Sequence, residues 1–313
     1  MSRSIRAAAS LMGTGLVLSF VIPAAAAHAH GIAGDRIFPA TLTIDDPAVS
    51  DELSAPTFVY QPQSGSGGSP ETRSYNYGFE WDKTITQNFG FAINDGYSVI
   101  HQQGTNSLYG WNDLVTTLKY EFFENDPHEI LMSAGVQREW GGTGALRVGE
   151  DATGWTQPTL YAGKGFGDLP ESLGLLRPIA LTGELGYQFA DVPTANSPTG
   201  PTHNPNFWNA GFSVQYSMQY LHAQVKDYGL PEFVNHLIPL VEFSYSTPAT
   251  AGYGATTTGT IAPGFIYEGA RYQIGVEALI PATKASGTRT GMIAQLHFFL
   301  DDILPTTLGK PVF

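Results

Sequence analysis

A two-residue alternation of apolar and polar side chains, repeated from residue 72 to the C-terminal region, limits what this chain can fold into. In the longest run, Trp208, Ala210, Phe212, Val214, Tyr216, Met218 and Tyr220 alternate with Asn209, Gly211, Ser213, Gln215, Ser217 and Gln219. Successive side chains of a strand point to opposite faces, whereas a helix repeats every 3.6 residues. The same period places Tyr75, Tyr77, Phe79 and Trp81 on one face, with Asn76, Gly78, Glu80 and Asp82 on the other. Eleven strands follow: 72–83, 88–101, 111–123, 128–140, 155–165, 178–190, 207–221, 234–246, 258–267, 270–281 and 289–300.

The connections between these strands alternate between short and long, with a single near-tie. Outer-membrane barrels have short periplasmic turns and longer extracellular loops, whereas a soluble sandwich has no reason to sort its loops by end. Single-chain bacterial barrels have an even strand count, so parity calls for a twelfth strand, drawn over 53–61; ten remain if two weaker segments are loops. The expected fold is all-β, a transmembrane antiparallel up-and-down barrel. Trp111, Trp140, Trp155 and Trp208 all fall at the long-loop end and Trp81 at the other, as interfacial aromatic girdles require. Trp111 alone carries lumen parity, which points to a bulge there or an error of register.

Residues 1–29 read as a secretory signal: Arg3 and Arg6, an apolar run over 11–22, then Pro23 and an alanine tract ending Ala27-His28-Ala29. The expected organisation is a signal peptide over 1–29, a segment 30–51 that plugs the lumen or trails in the periplasm, a barrel over 52–303 and a periplasmic tail over 304–313. Asp46-Pro47 predicts one short helical turn, and Asp168-Leu169-Pro170-Glu171 a capped short helix over 172–176. The destination is the cell outer membrane, with membrane lipid, the barrel-insertion machinery and a small-molecule solute as partners.

The polar strand faces then line the lumen. Its acids are Glu80, Asp82, Asp113, Glu121, Glu129, Glu139, Glu184, Glu242 and Glu277, its bases Lys119 and Arg271, with Gln188, Gln215, Gln273 and Gln295 among them. An acidic, partly filled lumen favours cations or polar solutes. The chain has a net charge of −13, which argues against a nucleic-acid partner, and without cysteine it has no thiolate chemistry. No cofactor or metal is expected: the eight histidines form no H-E-x-x-H or comparable pair. An enzyme is not expected either. A lipid hydrolase at the outer rim would need His101 with Ser98 or Ser107, and no His-x-Ser pattern occurs. A structural or surface-interaction barrel without transport is the other alternative.

Three stretches carry a family resemblance: Trp140-Gly141-Gly142-Thr143-Gly144, Gly163-Lys164-Gly165-Phe166-Gly167-Asp168-Leu169-Pro170, and the closing Gly309-Lys310-Pro311-Val312-Phe313. With the strand organisation, they resemble the outer-membrane barrel family linked to the meta-cleavage pathway of phenol degradation. The resemblance spans residues 31–313 and implies a transporter or channel for small, often aromatic compounds. In contrast to many barrels, Phe313 closes a tail after Pro311 and not a strand, so the insertion signal is sought in Gly291-Met292-Ile293-Ala294-Gln295-Leu296-His297-Phe298.

Overall fold

The computed structural model describes residues 31–65, 70–197, 200–250 and 256–313. The signal segment over 1–29 lies outside the described residues. Twelve strands form the wall: β1 (Glu52–Gln63), β2 (Thr72–Thr86), β3 (Phe89–Gln102), β4 (Leu114–Asn125), β5 (Ile130–Trp140), β6 (Trp155–Gly165), β7 (Ile179–Ala190), β8 (Phe207–Tyr216), β9 (Leu237–Pro248), β10 (Thr258–Glu268), β11 (Tyr272–Pro281) and β12 (Gly291–Phe299). Each pairs antiparallel with its sequence neighbour, and β12 returns to β1 through Ala294↔Phe58 and Phe298↔Leu53. Closure leaves no unpaired edge, the condition under which strands can cross hydrocarbon.

The wall is apolar outside and polar within. Leu160, Leu118, Phe265, Phe212 and Val214 are exposed by 58, 51, 48, 45 and 40%, while Ser213 and Glu242 next to them in sequence or register are fully buried. A soluble protein would invert this arrangement; a lipid-facing surface explains it.

Several expectations are corrected. The strand expected over 207–221 ends at Tyr216, because Ser217 Oγ accepts the Tyr220 N–H at 3.1 Å and turns the chain into short helices at Met218–Tyr220 and Leu221–Val225. Tyr220 is therefore buried and not on the outer face. Connection 217–236 is consequently longer than either neighbouring loop, which breaks the expected length alternation at that point. The strand expected from residue 111 starts at Leu114; a short piece, Leu108–Trp111, pairs separately with β3, and the break at 112–113 lets Trp111 face outward, 54% exposed. Asp46-Pro47 forms no helix: Asp46 Oδ1 accepts the Ala48 N–H at 2.7 Å in a tight turn. The short helix near 172–176 is a 3₁₀ helix over Glu171–Leu176 entered from Pro170, while Asp168 binds His128 and Lys164 and caps nothing.

Both described ends of the chain lie at one end of the barrel, called the near end, with connections 87–88, 126–129, 166–178, 217–236 and 269–271. The other connections form the far end, where a hairpin over Thr194–Ser197 and Gly200–His203 stands beyond the wall. Val214→Arg, on the outward face at mid-strand, should lower stability by ~2–4 kcal/mol. Asn94→Arg, which meets Glu80 inside, should leave it nearly unchanged. Urea titration of the barrel refolded in lipid vesicles checks both, and equal losses at the two positions would mean the faces are misassigned.

Candidate functional site

Residues 31–51 run inside the wall, held by charge, hydrogen bonds and shape. A two-strand hairpin, Gly31–Ala33 with Arg36–Phe38, comes first. Its Arg36 side chain is 1% exposed: Nε donates to Glu129 Oε2 at 3.1 Å, the terminal nitrogens donate to the carbonyls of Pro178 and Arg177, and the guanidinium stacks 3.9 Å from the Tyr220 ring centre. Glu129 also accepts the Gly167 N–H at 2.9 Å and the Tyr220 hydroxyl at 2.8 Å. Burying this pair is tolerable because each charge is hydrogen-bonded several times.

Further along, the Glu242 carboxylate accepts three successive backbone N–H groups, from Leu42 at 2.8 Å, Thr43 at 2.7 Å and Ile44 at 3.1 Å, together with the Thr43 hydroxyl. Three convergent N–H donors make a local anion cradle. Lys119 Nζ donates to Asp45 Oδ1 at 2.8 Å and to the Asp46 carbonyl at 3.0 Å, and Ser133 donates to the Pro47 carbonyl. Lys83 Nζ binds Asp51 at 2.6 Å and the carbonyls of Leu308 and Lys310, which joins the segment to the C-terminal tail. The apolar side chains enter places where the wall has glycine. A Cβ at Gly163, Gly211 or Gly275 would lie 2.9, 2.3 or 2.5 Å from Phe38, Ile44 or Leu42.

Cavities remain on either side of the segment. One of about 340 Å³ opens toward the far end, lined by Asp45, Asp46, Glu80, Asp82, Glu184 and Lys119 among others. One of about 460 Å³ opens at the near end, lined by Ile32, Val49, Glu121, Leu131, Asp301 and Phe313 among others. Ala48 and Ser50 border both. A further cavity of about 400 Å³ lies along β8–β10 and reaches Glu184 from the other side.

The residues expected to line the lumen separate into distinct environments. Glu80, Asp82, Lys119, Glu184 and Gln295 border the far-end cavity, and Glu121 borders the near-end one. Glu129 and Glu242 hold the inner segment, and Glu277, 1% exposed, lies beside Glu242. Gln188 accepts from Asn209 at 3.1 Å. Gln215 and Gln273 are each 2% exposed; Gln215 donates to Ser213 and Thr182, so both fill space and do not border a passage. Asp113 accepts the Gly144 N–H at 2.6 Å at the far rim, with Glu139, Glu150 and Asp151 as electrostatic neighbours.

Arg271 is a correction: it is exposed in the turn between β10 and β11, one residue before the wall resumes at Tyr272. The polar-face assumption also fails along β9–β12, where Ile238, Leu240, Ile266, Ala262, Leu279 and Ile293 face inward and pack on Leu42. The sequence reading missed the contributions of Arg36, Asp45, Asp51, Lys83 and Tyr220. Glycines recurring on the inward face of wall strands were the available signal.

His101 Nδ1 and Ser107 Oγ come within 2.6 Å at the exposed far rim, while Ser98 turns inward to Asn76 and Asn112. Among the described residues no carboxylate is hydrogen-bonded to the other ring nitrogen of His101, so the pair lacks the orienting group a nucleophile needs.

No family model and no curated protein sequence matches the chain. Its shape does match solved structures. An outer-membrane channel from Pseudomonas putida F1 superposes with a TM-score of 0.58 at 9% identity, covering 84% of this chain and 99% of that one. The fold is that of an outer-membrane barrel. The KdgM porin (TM-score 0.42, 10% identity, 77% of this chain and 98% of that one) and the translocator domain of the autotransporter NalP from Neisseria meningitidis (0.46, 10%, 81% and 90%) are more distant. These neighbours are channel, porin and translocator domain, and at such identities they speak to fold alone.

Two predictions follow from the geometry. Arg36→Met should leave Glu129 buried without its cation and loosen the hairpin, so that a thiol at Ile32→Cys reacts faster with a water-soluble maleimide; Arg36→Met with Glu129→Gln should restore much of the protection. Labelling rates decide it. The second concerns Asp301, beside the near-end cavity, whose carboxyl is pushed up to about 7 by burial, with Glu52 and Asp302 adding. Its folded value exceeds its ordinary one, so the state with the C-terminal tail docked on the near end binds the extra proton. The charged form penalises docking increasingly as pH rises from about 4 to about 7. A fluorophore at Thr306→Cys should therefore be less mobile at pH 5 than at pH 8, and Asp301→Asn should reduce that difference. Anisotropy measures it, and an unchanged pH dependence would refute the role of Asp301.

Proposed function

We propose that this protein is an outer-membrane passage for small solutes whose resting conductance is limited by residues 31–51. The observation that carries the reading is the pair of cavities meeting at Ala48 and Ser50, one on each side of the inner segment. A separate cavity of about 20 Å³, room for about one water, lies beside Lys83, Lys119 and Asp82 and shares Ala48 and Ser50 with both. The near end, which holds both described chain ends, is assigned to the periplasm. Secretion would then use the segment over 1–29, and membrane lipid and the insertion machinery would be the protein's partners.

Charge at the far-end cavity sets the expected preference. Asp45, Asp46, Glu52, Glu80, Asp82, Asp95 and Glu184 border it against the single lysine Lys119. The Debye length at physiological salt, ~8 Å, is comparable to a narrow bore, so these charges act on a passing ion. The aromatic solute class rests on the sequence resemblance alone. The inward apolar wall of β9–β12 is compatible with it.

In planar bilayers the intact protein should show small, cation-favouring conductance. Deleting residues 31–50 should raise the conductance several-fold while leaving the sign of the reversal potential unchanged. Anion preference in the intact protein would contradict the acidic-cavity reading, and an unchanged conductance after deletion would contradict the limiting role of the segment.

A further inference from the structure

The near end has more chain on one side than its turns require. Connections 166–178 and 217–236 flank β7 and β8, and both carry apolar side chains without internal cover. Leu173, Leu175, Leu176, Tyr228, Leu230 and Phe233 are exposed by 38 to 60%. The connections pack on each other, with Gly174 facing Val225 across a gap that a Cβ would narrow to 3.2 Å.

They also reach the outer face of the wall. Phe233 stacks on Tyr267, with ring centres 5.3 Å apart and planes 16° from parallel. Tyr267 lies two residues from Phe265, on the outward face of β10, and contacts Tyr272 on β11. The Tyr216 hydroxyl, two residues from outward-facing Val214, donates to the Leu175 carbonyl at 3.1 Å. The apolar surface of both connections is thus continuous with the lipid-facing belt. Lys226 stands 4.9 Å from the Tyr228 ring centre, a pairing suited to a headgroup layer, where an aromatic body meets apolar chains and a cation stays wet.

We infer that connections 166–178 and 217–236 form an interfacial collar that inserts Leu175 and Phe233 into the lipid leaflet at the near end, with phospholipid as the occupant of this surface. Interfacial segments bind by burying apolar side chains at the headgroup boundary, and two connections of short helical turns held by the wall do so without paying to fold. The inference rests on the barrel's membrane location and is independent of conduction.

The absence of cysteine permits a direct test with single nitroxide labels at Leu175→Cys and Phe233→Cys. Val214→Cys in the belt and Thr307→Cys in the exposed tail serve as references. The protein is reconstituted at high dilution in vesicles of phosphatidylethanolamine and phosphatidylglycerol, and power saturation compares collision with oxygen and with a soluble nickel chelate. Heat-modifiable gel mobility confirms that each variant is folded. Both collar labels should favour oxygen over nickel several-fold more than Thr307→Cys does, approaching the belt reference. Ratios equal to that of Thr307→Cys would overturn the proposal and leave a soluble partner as the occupant. Protection that disappears on dilution of protein in lipid would also overturn it, in favour of a second copy of this chain. Loss of conduction with protected collar labels would defeat the channel reading and spare this one.

Discussion

The fold depends on a single demand: a chain that crosses hydrocarbon must satisfy every backbone hydrogen bond within itself. Pairing β12 with β1 meets it by closing the sheet. Closure then dictates the alternation of side chains, since every second residue faces lipid and every other one faces a lumen too narrow to be lined by bulk water. The polar groups turned inward need partners. Residues 31–51 supply many of them, through Arg36 to Glu129, the three N–H groups of residues 42–44 to Glu242, and Asp45 to Lys119. The inner segment is thus a consequence of the wall's polarity as much as an addition to it.

The same contacts explain how the segment can be firmly placed although only its first residues, 31–38, form regular structure of their own. Some anchors pair side chain with side chain, as Arg36 with Glu129 and Lys119 with Asp45, and others join a side chain to backbone, as Glu242 with the amides of residues 42–44. Phe38, Ile44 and Leu42 add shape by occupying positions where the wall has only hydrogen at Cα. Replacing any one of Gly163, Gly211 or Gly275 by a larger residue would displace the segment locally before it disturbed the wall.

Much of this was legible in the sequence. Period-two alternation located eleven strands, because one face of each is apolar and the register is therefore fixed, and the even strand count of single-chain barrels called for the twelfth. Boundaries failed where a local hydrogen bond overrode the pattern, as when Ser217 captured the Tyr220 N–H, or where a two-residue break reset parity before Leu114. The site was less legible. Inward parity identified Glu129 and Glu242 as lumen residues but could not reveal that both bind chain more than ninety residues distant in sequence. Arg271 was misplaced because the strand expected from residue 270 begins at Tyr272, which leaves Arg271 in the turn over 269–271. The apolar lining of β9–β12 escaped notice because strands apolar on both faces lose the alternation on which the reading relied.

The account stands most directly on the amides of Leu42, Thr43 and Ile44. Hydrogen exchange resolved to these residues, in the full chain reconstituted in lipid vesicles, measures whether they are held inside the barrel. Protection persisting for hours, and lost in Glu242→Ala while the wall strands stay protected, is the predicted result. Exchange of these three amides at the rate of an unstructured peptide in the intact protein would show that residues 31–51 do not occupy the lumen, and would contradict the account.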